Sequence, residues 1–225
     1  MLFVTGDTHG RYTAQSIAAF NDEHDELTKD DIVVVAGDFS GVLEQNFDKN
    51  MDFYEKMRFT VAFVDGNHEC YPRLEQCPKE VWHGGTIHRV RNNVVHLTRG
   101  QIFDLCGKRL LAFGGATSTD EGRTDGFDVY LDKEAPTNED LYIAIDNLSK
   151  RDFAVDYIVT HTCDERAFYY PALSDFRYRL FPETQLLNYF ETNVQYDHWY
   201  FGHFHIDAEI NYRKTAIYQK IIRLA

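Results

Sequence analysis

The stretch Asp31–Phe39, with the sequence DIVVVAGDF, decides the fold of this chain. Its apolar run from Ile32 to Ala36 is mostly β-branched, which is typical of a short strand buried on both faces. Gly37 then allows a tight turn, and Asp38 places a carboxylate at the carboxyl end of the strand. Ligands of layered α/β proteins bind at that edge of the sheet. We therefore predict that Asp38 bridges two metal ions, provided that other strands deliver ligands to the same place.

Length and composition predict a folded chain with one substantial core. The chain has 225 residues, of which 44% are hydrophobic and 15% aromatic. This composition excludes the intrinsically disordered class, and the length is that of one domain. We expect residues 1–225 to form a single domain, since no repeat, linker or low-complexity tract divides them.

Charge and cysteine usage indicate where the protein acts and on what. Its 23 Lys and Arg against 36 Asp and Glu give a net charge of −13, which repels long nucleic acids and anionic membranes. The amino terminus lacks the pattern of a signal peptide, and no apolar run approaches the roughly 20 residues of a membrane span. The four cysteines include no CxxC pair and are expected to be reduced thiols. We expect a soluble cytoplasmic protein with a small substrate.

The first part of the chain alternates apolar runs of strand length with helical periodicity, which predicts parallel crossover units. The predicted strands and helices are, in order, Leu2–Thr5, Arg11–His24, Ile32–Ala36, Leu43–Arg58 and Thr60–Val64.

The middle of the chain has short β-type runs separated by turn residues, which predicts an antiparallel meander. The runs are Thr86–Val90, Val94–Thr98, Gln101–Leu105 and Arg109–Phe113. The charged segment Glu121–Pro136 is expected to be a surface loop.

The last part returns to alternating helices and strands. Thr137 is a predicted N-cap. The predicted elements are a helix Asn138–Lys150, a strand Val155–Thr160, a helix Glu183–Thr192, a strand His198–Phe201 and closing strands Ala208–Tyr212 and Ala216–Leu224. The aromatic stretch Phe168–Phe181 has two open interpretations, a lid that shapes the substrate site or part of the core.

Polar groups able to bind metals follow five of the predicted strands directly. They are Asp7 and His9, then Asp38, then Asn67 and His68, then His161, and last His203 and His205. Carboxylates, an amide oxygen and imidazoles without any thiolate favour Mn, Fe, Zn, Co or Ni over a cysteine-rich structural zinc site. Side-chain direction alternates along an extended segment. The two side chains of Asp7-x-His9, and likewise those of His203-x-His205, are therefore expected to point to the same side.

These motifs resemble those of the calcineurin-like metallophosphoesterase family. The matching segments, in the family's order, are GDTHG at 6–10, GDF at 37–39, GNHE at 66–69, TH at 160–161 and GHFH at 202–205. The resemblance implies an α+β fold, a four-layer α/β/β/α sandwich in which two packed mixed β-sheets are flanked by helices.

The resemblance also implies a reaction and roles for the residues. One metal ion would be held by Asp7, His9, Asp38 and His205, and the other by Asp38, Asn67, His161 and His203. A hydroxide bridging the two ions would attack the phosphorus of a phosphate ester in line. His68 would then not be a ligand, but would assist at the phosphoryl or leaving oxygen.

One departure bears on the substrate. The protein-phosphatase branch carries GD-x-x-D-R-G, whereas this chain reads GDFSGV at 37–42, with Gly41 and Val42 at the places of the acid and the arginine. Phosphoprotein phosphatase activity is therefore disfavoured. Arg11 and Arg123 are hypothetical replacements for binding the phosphate.

Plainer interpretations stand beside these. Gly-Asp and Gly-Asn pairs are ordinary turn residues where a strand ends. A histidine at a strand end, such as His161, often only hydrogen-bonds to the backbone. Gly114-Gly115 with Ser118 and Asp120 lines the pocket or merely forms a turn. Cys70 and Cys163 lie close in sequence to the candidate ligands but are not expected to bind metal. Surface or structural roles are expected for His24, His83, His88, His96 and His198.

Two other functions compete with a phosphomonoesterase. The first is a phosphodiesterase or nucleotide hydrolase with the same fold. The second is a non-catalytic scaffold that keeps the fold as a binding surface, for which the loss of ligands or of His68 would be expected. The sequence retains all seven predicted ligands and His68.

Overall fold

Two mixed β-sheets form the centre of the protein. We describe a computed structural model that covers residues 1–9, 11–39, 46–118 and 131–225, without the side chains of residues 11–14, 131–132 and 178–179. From edge to edge, the first sheet contains β13 (Ile222–Arg223), β1 (Leu2–Thr5), β2 (Ile32–Val35), β3 (Thr60–Phe63), β6 (Val94–Leu97), β5 (Gly85–Arg91) and β4 (Lys79–Trp82). The second contains β11 (Ala208–Asn211), β12 (Lys214–Ala216), β10 (His198–Phe201), β9 (Tyr157–Thr160), β8 (Lys108–Phe113) and β7 (Gln101–Leu105).

The strands that carry the candidate site are parallel to one another within each sheet. β1, β2 and β3 run parallel in the first sheet. β8, β9 and β10 run parallel in the second. Antiparallel strands flank both groups, so each sheet is mixed. The parallel strands therefore end together at one edge of each sheet.

Helices cover the outer faces of both sheets. The α-helices are α1 (Arg11–Glu23), α2 (Phe47–Glu55), α3 (Tyr71–Gln76), α4 (Leu131–Glu134), α5 (Asn138–Ser149) and α6 (Pro182–Asn193). Two segments, Glu165–Tyr169 and Pro171–Arg179, are 3₁₀-helical. None of the helices in the described ranges combines the length and the apolar character that crossing a membrane requires.

Side-chain alternation along β2 explains the layering. Successive residues of a strand point to opposite faces. Ile32 and Val34 accordingly join the apolar core between the two sheets, together with Leu110 and Val159 from the second sheet. Val33 and Val35 point the other way, into the core under the helices on the first sheet. A strand buried on both faces must be apolar throughout, as this one is.

A third core lies on the outer face of the second sheet. There Trp199 and Phe201 of β10 pack with Leu187 and Phe190 of α6. The three cores give the order helices, sheet, sheet, helices. This arrangement confirms the predicted α+β four-layer sandwich.

The prediction of one antiparallel meander between residues 86 and 114 is wrong. The two local pairings are antiparallel, β5 with β6 and β7 with β8. The chain passes from the first sheet to the second between them, at Thr98–Gly100. β6 pairs in parallel with β3, and β8 pairs in parallel with β9. Turn residues specify which neighbours form a hairpin, but not which sheet the hairpin joins.

The carboxyl-terminal segment also differs from the prediction. Instead of one strand over Ala216–Leu224, β12 ends at Ala216 and β13 covers only Ile222–Arg223. The intervening backbone N–H groups of residues 218–220 donate to the carboxylate of Asp207, at 2.9, 3.1 and 3.3 Å. A backbone whose donors are satisfied by one side chain forms a loop rather than a strand.

Several other boundaries were predicted correctly or nearly so. The capping box of Thr137 and Asp140 begins α5 as expected. The helix expected over Leu43–Arg58 is observed at Phe47–Glu55, and residues 40–45 lie outside the described residues.

Other elements were not predicted from the sequence. The helix α3 and the strand β4 are two of them. Of the loop expected over Glu121–Pro136, residues 121–130 are not described, and Leu131–Glu134 is helical.

A buried ion pair stabilises the point at which the chain changes sheets. The guanidinium of Arg99 donates to Oδ2 of Asp65 through Nε at 2.8 Å and Nη2 at 2.5 Å. It also donates to the carbonyls of Lys133, Glu134 and Ala135. The Asp65 side chain is 2% exposed, and its contacts besides Arg99 are Nε2 of His96 at 3.2 Å and the hydroxyl of Tyr71 at 3.1 Å.

Replacing Arg99 with methionine should lower the free energy of unfolding by about 3–5 kcal/mol, because it removes the guanidinium from the buried Asp65 carboxylate. Urea unfolding at pH 7 measures the loss. The matched control is Arg89→Met, which removes a surface pair with Glu80 and should cost about 1 kcal/mol or less. Equal losses in the two variants would contradict a structural role for the Arg99 pair.

Candidate metal centre

The predicted strand-end residues lie together where the carboxyl ends of the parallel strands meet. Asp7, His9, Asp38 and His205 form one group whose ligand atoms all lie within 4.8 Å of one another. Nε2 of His205 is 3.1 Å from Oδ2 of Asp7 and 3.1 Å from Nε2 of His9. Nε2 of His9 is 3.5 Å from Oδ2 of Asp38. Asp7, His9 and Asp38 follow strands of the first sheet and His205 follows a strand of the second, so both sheets contribute side chains to one cluster.

A second group lies on the other oxygen of Asp38. Nε2 of His161 is 3.3 Å from Oδ1 of Asp38 and 3.1 Å from Oδ1 of Asn67. Nδ1 of His203 is 3.3 Å from the same His161 nitrogen. Asp38 thus has one oxygen in each group, the arrangement expected of a carboxylate shared between two ions.

The backbone around the site adopts conformations that non-glycine residues rarely use. Asp38, His203 and His205 have φ angles of 51°, 68° and 52°. Strain of this kind persists where the surrounding structure fixes it, and it concentrates at functional sites. The Thr8 N–H donates to the carbonyl of Asp38 at 3.1 Å, which ties the turn after β1 to the turn after β2.

Gly202 is required by close packing beside Asp7. A Cβ at this position would lie 2.1 Å from Oδ1 of Asp7 and 2.6 Å from the carbonyl of Ala36. The next residue, His203, donates its backbone N–H to Oδ1 of Asp7 at 2.9 Å. The glycine of the GHFH motif thus lets the second sheet come close enough to fix a carboxylate of the first.

Hydrogen bonds leave specific ligand atoms pointing into the site. Nδ1–H of His161 donates to the carbonyl of Ala36 at 2.8 Å, which directs Nε2 toward Asp38 and Asn67. The amide nitrogen of Asn67 donates to Oγ of Ser118 at 3.2 Å, so its Oδ1 faces His161. Orientation by such partners is usual for metal-binding histidines.

The electrostatics of the buried groups are dominated by Asp38 and His161. Burial alone would raise the pKa of Asp38, but the charge and hydrogen bond of His161 outweigh it and hold that pKa well below its usual range. Burial lowers the pKa of His161, yet the Asp38 carboxylate raises it to about 10. Nε2 of His161 lies 3.3 Å from Oδ1 of Asp38 and 3.1 Å from Oδ1 of Asn67, and these donors together fit a cation.

The remaining imidazoles respond to their own surroundings. Burial lowers the pKa of His9, against the opposing charge of Asp38. The hydrogen bond that the His205 ring donates to the Asp7 carboxylate raises the pKa of His205. The donor set contains carboxylate oxygens, an amide oxygen and imidazole nitrogens, and it fits divalent transition metals.

His68 lies beside this cluster. Its backbone N–H donates to Oδ1 of Asp38 at 2.8 Å, and its ring centroid is 5.2 Å from that of His9. The residue is half-buried. His68 therefore lies next to the candidate ligands His9 and Asp38.

The two predicted phosphate-binding arginines are not placed by the structure. Arg11 begins α1, but its side chain is not described, and Arg123 lies outside the described residues. Of the strand-end residues after β8, Ser118 contacts the site through Asn67, whereas Asp120 is not described.

Glu69 connects two of the loops that carry candidate ligands, a role that was not predicted from the sequence. Its Oε1 accepts the backbone N–H of Phe39 at 2.7 Å and that of Gly66 at 3.3 Å, which joins the turns after β2 and β3. Burial raises the pKa of Glu69 well above its usual range. The position of Glu69 at the end of the GNHE motif, directly after Asn67 and His68, is the sequence feature that could have indicated this role.

The aromatic stretch contributes to the core rather than acting only at the surface. Phe168 and Leu173 are buried in the core on the outer face of the second sheet, and Phe176 packs against Phe204 at 5.2 Å between ring centroids. Tyr169 is exposed. Phe204 lies between His203 and His205, so this segment supports the loop that carries both histidines.

The four-layer sandwich gathers carboxylates and imidazoles where its two sheets meet, and this group could hold a metal ion. The family model for calcineurin-like phosphoesterases matches residues 2–207. The chain therefore belongs to that family, and it is a metal-binding hydrolase of phosphoesters. A search of curated proteins finds no match.

Metal binding at pH 7 should release the proton that His161 carries, because a ligating imidazole must be neutral and the pKa of His161 in the metal-free protein is about 10. Affinity should rise with pH and level off above about 10. Calorimetric titration with Mn²⁺ in buffers of different ionisation enthalpy measures the protons released. Heats that are independent of the buffer at pH 7 would contradict the assigned protonation of His161.

Proposed function

We propose that the protein hydrolyses the phosphate ester of a small substrate with two transition-metal ions bound around Asp38. The observation that carries this proposal is the placement of the Asp38 oxygens, one facing His9 at 3.5 Å and the other facing His161 at 3.3 Å. A carboxylate between two groups of donors suits a two-metal site. Family membership supplies the class of reaction.

The ligands of each ion follow from the two groups. Asp7, His9, Asp38 and His205 would hold one ion, and Asp38, Asn67, His161 and His203 the other. The contacts that support this division are those between side chains of the same group, with Asp38 common to both. The ions are divalent or trivalent, and Mn, Fe, Zn, Co and Ni all suit the nitrogen and oxygen donors.

The bound ions would supply Lewis acidity, lowering the pKa of a water molecule and drawing charge from the phosphoryl oxygens. The chain itself orients the groups. The Ala36 carbonyl orients the His161 ring, and the Ser118 hydroxyl orients the Asn67 amide. His68, placed beside His9, would donate an imidazole N–H to a phosphoryl or leaving oxygen as negative charge develops there.

Small substrates are favoured over long polymers. The net charge of −13 argues against long nucleic acids, which usually bind along a basic track. Whether the ester is a monoester or a diester, as in a phosphodiesterase or nucleotide hydrolase, depends on groups beyond the ligands. A non-catalytic scaffold is disfavoured because the candidate ligands and His68 are retained.

We also place the protein in the cytoplasm. All four cysteines are free thiols, with Cys70 and Cys163 buried in the cores, as suits a reducing compartment. We also propose that residues 1–225 form a single domain.

His68→Ala should lower the turnover of Mn²⁺-loaded protein on p-nitrophenyl phosphate by about 10²–10⁴-fold, because the variant lacks the proposed proton donor. Bound metal, measured by elemental analysis, should be unchanged. The matched control His83→Ala removes an exposed histidine of the β4–β5 turn and should leave both quantities as in the wild type.

Three outcomes separate the alternatives. Faster cleavage of the bis(p-nitrophenyl) ester than of the monoester would indicate a phosphodiesterase. Loss of metal from His68→Ala would show that His68 is a ligand rather than a proton donor. Wild-type protein that binds no transition metal and cleaves neither ester would favour the scaffold.

A further inference from the structure

His205 is the most exposed of the candidate ligands that lie around Asp38. Its side chain is 46% exposed, against 22% for His9 and 0% for His161. The residue also stands in a loop with a φ angle of 52°. An exposed imidazole has more accessible rotamers than a buried one, so its orientation needs support from a neighbour.

Tyr218 provides that support. Its ring lies nearly parallel to the His205 ring, with centroids 4.8 Å apart and an interplanar angle of 21°. His9 meets His205 differently, through their Nε2 atoms at 3.1 Å and with rings tilted by 47°. The flat face of His205 is therefore covered by tyrosine, while its Nε2 edge remains directed at Asp7 and His9.

The loop that carries Tyr218 is held in place from two sides. The backbone N–H of Ile217 donates to the carbonyl of Phe201 at 2.9 Å, which continues the pairing with β10. Asp207 then accepts the N–H of Tyr218 at 2.9 Å, and those of the next two residues. Because Asp207 lies two residues after His205, one carboxylate fixes the tyrosine relative to the histidine.

Gly6 permits this loop to approach the metal centre. A Cβ at Gly6 would lie 2.2 Å from the carbonyl oxygen of Ile217 and 2.5 Å from Cα of Tyr218. Gly6 immediately precedes Asp7. The turn after β1 and the Tyr218 loop are thus in backbone contact, and only glycine allows it.

We propose that Tyr218 is a positioning residue, which holds the imidazole of His205 in the rotamer that ligates a metal ion. This inference rests on the proposed two-metal function. The stacked ring restricts rotation of His205 about its side-chain bonds, so less conformational entropy is lost when the ion binds. The aromatic face carries this role, and the phenol hydroxyl does not.

Two variants separate the ring from the hydroxyl. Tyr218→Leu removes the stacked face and should weaken Mn²⁺ binding, measured by competition with a chelator, by about tenfold, the loss typical of residues that orient ligands. Tyr218→Phe keeps the face and should bind Mn²⁺ like the wild type. Tyr212→Leu is the matched control, since Tyr212 is 80% exposed in the turn between β11 and β12 and should leave affinity unchanged.

A second readout uses the metal-free protein and does not depend on activity. The ring current of Tyr218 should shift the His205 ring protons upfield in histidine-selective NMR spectra, where they are assigned by their absence in His205→Ala. The shift should persist in Tyr218→Phe and disappear in Tyr218→Leu. Chemical denaturation of each variant without metal shows whether the fold is retained.

The outcomes distinguish this inference from the function on which it rests. Wild-type protein that binds no Mn²⁺ would overturn both. Wild-type binding with undiminished affinity in a folded Tyr218→Leu variant would overturn the positioning role alone. Equal losses in Tyr218→Phe and Tyr218→Leu would assign the effect to the hydroxyl and likewise overturn it.

Discussion

The carboxylate of Asp38 is the charge around which the site is built. It is 2% exposed, and its two oxygens face different histidines, His9 and His161. A buried carboxylate is costly unless cations or hydrogen bonds compensate it. The groups that face this carboxylate are Nε2 of His161, at 3.3 Å, and the backbone N–H of His68, at 2.8 Å. A pair of bound cations would serve the same electrostatic purpose while adding Lewis acidity.

The packing of two sheets makes this arrangement possible. Asp38 follows β2 of the first sheet and His161 follows β9 of the second, so neither sheet alone contains the site. The apolar core between them, which includes Val34 and Val159, fixes their separation. Close backbone contacts at Gly6 and Gly202 then bring the loops of the second sheet against Asp7. The distances between the candidate ligands thus depend on how the two sheets pack against each other.

Local sequence patterns predicted the parts of the structure that depend on local interactions. The buried strands, the capping box of α5 and the strand-end positions of the candidate ligands all follow from side-chain periodicity and turn chemistry. Membership of the family, and with it the four-layer architecture, came from five short motifs in order. The sequence motifs thus named the four residues that the structure gathers into one possible metal-binding group, Asp7, His9, Asp38 and His205.

Long-range pairing is what the sequence patterns could not predict. The partners of β6 and β8 are distant in the chain, and turn residues carry no information about them. The same holds for Tyr218, which contacts His205 only because Asp207 folds the loop back. Ser118 orients Asn67 from a different part of the chain, so its role appeared only in the structure. These contacts are set by tertiary packing.

The central claim is that Asp38 is shared by two metal ions, and anomalous diffraction from crystals grown with Mn²⁺ tests it most directly. The account predicts two anomalous peaks about 3.5–4 Å apart, one within bonding distance of each Asp38 oxygen. A single peak, or peaks that do not touch Asp38, would contradict it.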